Sequence, residues 1–258
     1  MKKLKIDYLL KDLIGTKVER PNRNTAGTLS GHAAGEPFEK YVYQYLKKMY
    51  SNTVFKQFEF LNDLFTKHPQ VISLSDRLAL LNSPTALFLL SRGDKAMREW
   101  SPEHIFEEKQ NDTADILHYY EGHYELIDVK TRNINKNAQP PNIISAYKLA
   151  KACAIMIDNK DFDSIDIHYI EVDWHESGSE LECIAAHYGN LFKINPQTLY
   201  INWAAAMQIQ FHVSEIDQNW TNNKEEWARL YIRCFVESAK HRVELMHEKY
   251  ITPFLQYL

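Results

Sequence analysis

Residues 114–131 read Ala-Asp-Ile-Leu-His-Tyr-Tyr-Glu-Gly-His-Tyr-Glu-Leu-Ile-Asp-Val-Lys-Thr, and this stretch decides the fold. Two runs, Ala114 to Tyr120 and Tyr124 to Thr131, are rich in the β-branched and aromatic residues that suit a pleated, half-buried surface. Between them, Glu121-Gly122-His123-Tyr124 fits a two-residue hairpin turn of type II′, with Gly at the first central position. This register pairs Glu121 with Tyr124, Leu117 with Asp128, and Asp115 with Lys130. Side chains alternate along a strand, so Asp128 and Lys130 share one face while Ile127 and Val129 point the other way, into a core. Directly opposed residues lie roughly 5 Å apart at Cβ. Asp115, Asp128 and Lys130 are therefore expected to form one small patch.

Two carboxylates are the ligands a hard cation such as Mg²⁺ prefers, with waters and substrate phosphate completing its shell. A lysine beside them can orient or help deprotonate a water, and it can offset charge on a phosphorane. The chemistry implied is metal-assisted hydrolysis of a phosphodiester. The plain alternative is a solvated strand face carrying an Asp-X-Lys pair. From Val129 to Ile157 there are five Lys or Arg and no Asp or Glu, in a chain of net charge −4. That basic stretch follows the acidic patch directly, where a polyanion would lie. Arg132 and Lys136 belong to it. Lysine and arginine neutralise phosphates, whereas Asn and Gln read adenine edges. Gln139-Pro140-Pro141-Asn142 is stiffened by its prolines. Ser145 then caps a helix through Ala146-Tyr147-Lys148-Leu149-Ala150.

Asn111-Asp112-Thr113-Ala114-Asp115-Ile116 followed by Glu125-Leu126-Ile127-Asp128-Val129-Lys130-Thr131-Arg132-Asn133 resembles the PD-(D/E)XK nuclease core. More narrowly, the chain resembles the HincII/HindII group of type II restriction endonucleases. Residues 30–40, 141–148 and 200–212 share in the resemblance, so it spans most of the chain. It implies a restriction-endonuclease-like α/β (α+β) fold, a mixed β-sheet flanked by helices. It implies a homodimer that cuts double-stranded DNA with Mg²⁺ at a GT-pyrimidine-purine-AC palindrome and leaves blunt ends. It also implies Asp115 and Asp128 as metal ligands, with Val129 at the same metal site, and Lys130 as the catalytic lysine. Gln139, Asn142, Tyr200 and Asn202 are implied at the DNA. One departure is clear: Ala114 stands before the first acid, where the wider nuclease pattern has proline.

The chain has 258 residues and 45% hydrophobic content, consistent with one endonuclease domain over 1–258 and a sizeable core. Its purely apolar runs, such as Ala86 to Leu90, are far too short for a membrane span. The N-terminus lacks an apolar secretory core. Cys153, Cys183 and Cys234 are widely spaced and fit neither a zinc pattern nor a disulfide framework. They read as reduced, buried thiols of a cytoplasmic protein. No Gly-X-X-X-X-Gly-Lys loop, His-Glu-X-X-His helix or Gly-X-Ser-X-Gly elbow occurs, so no nucleotide cofactor is expected.

Residues 4–14 read as a short helix ended by Gly15. Residues 20–35 read as a loop, with Arg20 and Arg23 as possible phosphate contacts, and Pro37 as the opening of a helix with Phe38, Tyr41, Val42 and Tyr45 buried. Glu39 is weighed as an auxiliary acid against a helix-start role. Residues 52–100 read as mostly helical, with starts at Ser83-Pro84 and Ser101-Pro102. Ser164 to Trp174 is a strand with a bulge expected near Tyr169, and Leu181 to Ala186 pairs with it. Residues 198–213 do not resolve into helix or strand. A long helix is expected from Asn223 to about Ile251, interrupted by Thr252-Pro253.

A structure-specific or repair nuclease, or a DNA-binding protein without catalysis, remains compatible with the residues taken alone. Discrete plasmid fragments separate the first from a site-specific enzyme, and Mg²⁺-dependent cutting excludes the second. Exchanging Pro140 and Pro141 for glycine is expected to weaken DNA binding in a gel-shift titration. Unchanged affinity would argue against a rigid polar loop at the DNA.

Overall fold

The computed structural model of the chain describes residues 4–21, 31–57, 59–60, 74–90, 113–137 and 139–258. Its centre is the expected hairpin, β3 (Ile116–Tyr120) and β4 (His123–Asn133). The turn differs from the expected one. Glu121 and Gly122 are its central residues, with φ of 49° and 81°, and Tyr120 pairs with His123. Positive φ at both positions makes the turn type I′, whose twist matches that of the strands. The hydrophobic pattern decides this register. It sets Ile116 opposite Ile127 on one face and Leu117 opposite Leu126 on the other. The expected register would have placed Leu117 against Asp128.

A six-stranded sheet runs in the order β1-β7-β6-β4-β3-β2, with β1 (Lys17–Glu19), β2 (Val54–Lys56), β6 (Ile165–Ser177) and β7 (Glu180–Asn190). Only the β4–β6 contact is parallel, so the sheet is mixed. β2 corrects the helical reading of residues 52–100: Val54 and Phe55 suit an edge strand beside β3. The bulge expected near Tyr169 is absent there. Ile165, Ile167 and Tyr169 face one core, while Ile170, Val172 and Trp174 face the other. The odd and even positions obey one unbroken alternation on a strand buried on both sides. The irregularity lies at Asp173–Trp174, whose partners step from Ala185 to Cys183 and leave Ile184 as the extra residue.

One face of the sheet is covered by α1 (Ile6–Leu13) and α2 (Gly31–Met49). Leu9, Leu13, Phe38, Val42 and Leu46 pack there on Ile116, Ile127, Val129 and Val172. α1 ends as expected, with Gly15 at φ 81°. α2 starts at Gly31 and carries Pro37 inside it, so residues 31–35 are helix rather than loop. Gly35 brings this helix close to β4, where an added Cβ would stand in ordinary contact with Thr131 Oγ1 at 3.7 Å. Arg23, Gly27, Ser101 and Pro102 lie outside the described residues.

The other face is covered by α4 (Pro84–Leu90), which follows α3 (Leu74–Leu81), by α5 (Ala146–Asn159), which is capped by Ser145 through Lys148 N, and by α6 (Lys224–Met246). Pro84 opens α4 as expected. On α6, Trp227 and Tyr231 are buried, and each buried polar atom is satisfied. Trp227 Nε1 donates to Ile194 O at 2.7 Å and Tyr231 OH to Ala146 O at 2.9 Å. The chain continues helically past Met246, and Pro253 sits in the first turn of a further helical segment instead of ending one. Residues 198–213 resolve as strands: β5 (Asn142–Ser145), β9 (Gln208–Gln210) and β8 (Tyr200–Asn202) form a second sheet in that order. Cys153 and Cys183 are buried free thiols, but Cys234 is only half-buried. Among the described residues no helix is long and apolar enough to cross a membrane.

On the buried face beneath α1 and α2 lies an ionised carboxylate, Glu125. Glu125 is 1% exposed; His118 Nδ1 meets its Oε2 at 2.7 Å, and His168 Nε2 stands 3.7 Å from Oε1. Burial raises its pKa, but the hydrogen bond with His118 and the nearby His168 outweigh that and hold it at about 2. A depressed carboxylate stabilises the fold fully above its ordinary pKa and loses that contribution as pH falls towards the depressed value. Glu125→Gln is therefore expected to cost about 3 kcal/mol near pH 7 and less than half of that near pH 3. Urea midpoints measured at both values check this.

Candidate active site

At the open end of the hairpin, β3 stops at Ile116 and leaves Asp115 just outside the ladder. Extending the observed register sets Asp115 opposite Asp128, not opposite Lys130. The expected grouping survives because all three residues lie on the same sheet face. Lys130 Nζ lies 2.7 Å from Asp128 Oδ2, and Val129 N–H donates to Asp115 Oδ2 at 2.8 Å. The Val129 side chain is buried on the opposite face, so only its backbone serves the site. The N–H and C=O of one strand residue point to the same neighbour. The Val129 carbonyl thus faces the Asp115 side, beyond the end of β3.

The approach to Asp115 is held by Gln57, 1% exposed, which sequence reasoning missed. Its Oε1 accepts from Thr113 N at 2.9 Å and Ala114 N at 3.0 Å, and its Nε2 donates to Leu90 O at 3.2 Å. The second of these bonds explains Ala114. Proline at that position would have no N–H to give. No signal in the linear sequence joins Gln57 to Ala114, since the two are 57 residues apart.

Electrostatics follow from crowding two acids in a half-dry site. Burial first, then the charge of Asp128 and a hydrogen bond shared with it, push Asp115 up to about 8, against the pull of Val129 N–H and Lys130. For Lys130, burial favours the neutral amine, but Asp128, then Asp115 and Glu39, reverse this and raise its pKa. Lys130 is therefore an ammonium here. Glu171 is in register with Lys130 on β6, yet its carboxylate is engaged elsewhere: with His212 Nδ1 at 2.5 Å and Ser214 N at 3.3 Å. Glu39 lies within α2, not in its first turn, and pairs with Lys56.

Among the described residues, no group of three or more His, Cys, Asp or Glu could hold a metal. Two carboxylates and a backbone carbonyl suit a hard, largely hydrated cation of the Mg²⁺ type rather than Zn²⁺. The elevated pKa of Asp115 is a further sign of fit, because a divalent cation would offset both the burial and the Asp128 charge that raise it.

The residues expected at DNA fall into two groups. Asn142, Tyr200 and Asn202 come together on the second sheet, joined by Gln210, another residue the sequence did not single out. Gln210 Nε2 donates to Asn142 Oδ1 at 2.8 Å, and Asn202 Nδ2 donates to Gln210 Oε1 at 2.9 Å. Tyr200 is 63% exposed. Arg132, Lys136 and Gln139 are not part of that sheet. Arg132 on β4 pairs with Glu215 at 2.8 Å, and Lys136 and Gln139 are exposed on the connection to β5.

The family described as restriction endonuclease HincII matches this chain over residues 9–258. The chain belongs to the HincII restriction endonuclease family. It is 58% identical over 246 residues to the type II restriction enzymes HindII and HincII of Haemophilus influenzae, covering 95% of this chain and 94% of each relative. The solved NlaIV restriction endonuclease aligns over 95% of this chain and 92% of its own, with a TM-score of 0.39 and 11% identity. Members of the HincII family generally use a divalent metal, in keeping with the acid pair.

Burial and the Asp128 charge raise the Asp115 pKa to about 8, so a cation held there at lower pH would have to displace a proton. Mg²⁺ affinity is expected to fall about tenfold per pH unit below that value. Titration calorimetry in buffers of different ionisation enthalpy should show release of about one proton at pH 7. Asp115→Asn should abolish the release.

Proposed function

We propose that this type II restriction endonuclease cuts both strands of DNA at a GT-pyrimidine-purine-AC palindrome, leaves blunt ends, and requires Mg²⁺. The proposal includes a homodimer acting in the cytoplasm. The observation that carries the catalytic part is the clustering of Asp115, Asp128 and Lys130, with Val129 N–H fixing the first acid. The specific sequence and cut geometry are supported by the 58% identity to HindII and HincII and by the sequence resemblance. A dyad-symmetric site calls for two identical active sites, one per strand.

Asp115, Asp128 and the Val129 carbonyl would hold the cation. When bound, it supplies a more acidic water and a Lewis acid for the phosphoryl oxygen. Lys130 then has a defined task. Held as an ammonium against Asp128, it is a donor, not a base. It orients the attacking water and offsets negative charge that grows on the phosphate oxygens. The Val129 N–H keeps one Asp115 oxygen occupied and turned, which fixes the carboxylate plane before substrate arrives. Gln57 prevents the strand end that carries Asp115 from swinging away.

Plasmid DNA incubated with the protein and Mg²⁺ should yield discrete blunt fragments whose mapped ends lie at the proposed palindrome. Asp128→Ala should retain DNA binding with cutting nearly abolished. Lys130→Ala should bind DNA and lose about a hundred- to thousandfold in kcat. Wild-type turnover in either variant would refute the assignment.

A further inference from the structure

Asn202 is the fixed end of a chain of three amides. Its Oδ1 accepts from the backbone N–H groups of Ala204 at 3.0 Å and Ala205 at 3.1 Å. Only an amide oxygen can accept, so those two donors settle which way the Asn202 amide faces. Its Nδ2 must then point to β9, where it donates to Gln210 Oε1 at 2.9 Å. That contact in turn commits Gln210. With its oxygen occupied on the β8 side, its Nε2 faces β5 and donates to Asn142 Oδ1 at 2.8 Å. The strand register makes this reach possible, since Gln210 stands opposite both Asn142 and Tyr200 at the centre of a three-stranded sheet. The bend after Asn202 is itself tightly set, with φ of 53° at Ala206 and 56° at Met207.

The consequence appears at the exposed end of the chain. Asn142 is solvent-exposed, and its oxygen already accepts one bond, so its outward group is the NH₂. An amide held this way presents donors. Its natural partner on DNA is an acceptor on a base edge: purine N7, guanine O6 or thymine O4. The two-bond pairing of Asn with adenine needs both ends of the amide free and is disfavoured here.

We infer that Gln210 is a positioning residue that sets the polarity of the Asn142 amide, so that Asn142 reads a hydrogen-bond acceptor on the DNA. This inference rests on the reading above that Asn142 contacts the bases, and it adds the residue that orients it and the chemistry it recognises. A carboxylate at 210 keeps the bond from Asn202 but cannot donate. Asn142 would have to turn its NH₂ inward and show its oxygen instead.

The test measures kcat/KM for wild type, Gln210→Glu, Gln210→Met and Asn142→Ala on cognate duplexes in which each major-groove acceptor is removed in turn. The replacements are 7-deazapurines for N7, 2-aminopurine for guanine O6 and 5-methyl-2-pyrimidinone for thymine O4. Wild type should lose about ten- to hundredfold at the position Asn142 reads. Gln210→Glu should lose that sensitivity and shift its tolerance at the same base pair towards bases with an exposed amino group. Gln210→Met, which releases the amide without inverting it, should show reduced sensitivity and no such shift. Each variant is judged by the ratio of two substrates, so a loss of folded protein cancels. Wild-type ratios in Gln210→Glu would overturn the inference. Wild-type ratios in Asn142→Ala would instead remove the reading beneath it, by placing Asn142 away from the bases.

Discussion

The structure turns on a repulsion that the fold holds in place. Asp115 and Asp128 come from neighbouring strands and face each other in a half-buried site, where like charges cannot relax apart. Two contacts contain them, Val129 N–H on Asp115 and Lys130 on Asp128, and the raised pKa of Asp115 favours its protonated form. Both contacts are supplied by β4. Such a site is costly for folding and suited to binding a divalent ion, because the ion removes the repulsion that the backbone enforces.

Holding that arrangement requires a stiff strand, and β4 is stiff because both its faces are covered. Ile127 and Val129 anchor it under α2, while Tyr124 and Leu126 anchor it under α5 and α6. The parallel partner β6 is likewise buried on both sides, which is the usual condition of strands joined in parallel. Glu125 and Glu171 show how ionisable groups are accommodated in so dry a sheet: each is met by histidine. The charged side chains that remain at the end of β4, Asp128 and Lys130, are the ones proposed to serve the chemistry.

The second sheet carries a different kind of constraint. Its amides have no strong charge, and their orientation would be free without a fixed end. The backbone N–H groups of Ala204 and Ala205 provide that end, and the β8-β9-β5 register transmits it across three strands. The proposed catalytic groups and the proposed base-reading groups are thus positioned by separate sheets. They are linked through the short connection from β4 to β5 that bears Lys136, Gln139, Pro140 and Pro141.

The linear sequence by itself determined the hairpin, the strand pairing of 165–174 with 181–186, the Ser145 cap and the long C-terminal helix, because alternation, turn glycine and capping residues act over a few neighbours. It also determined that Asp115, Asp128 and Lys130 would meet, since one tight turn joins them. It did not determine the register. Two turns separated by one residue are locally similar, and only the matching of Ile116 to Ile127 and Leu117 to Leu126 across two cores chooses between them. Tertiary structure alone decided that Gln57 supports Ala114 and that Gln210 bridges Asn142 and Asn202. These contacts join residues up to 68 positions apart, and a single polar side chain carries no periodic signal that could announce its distant partner.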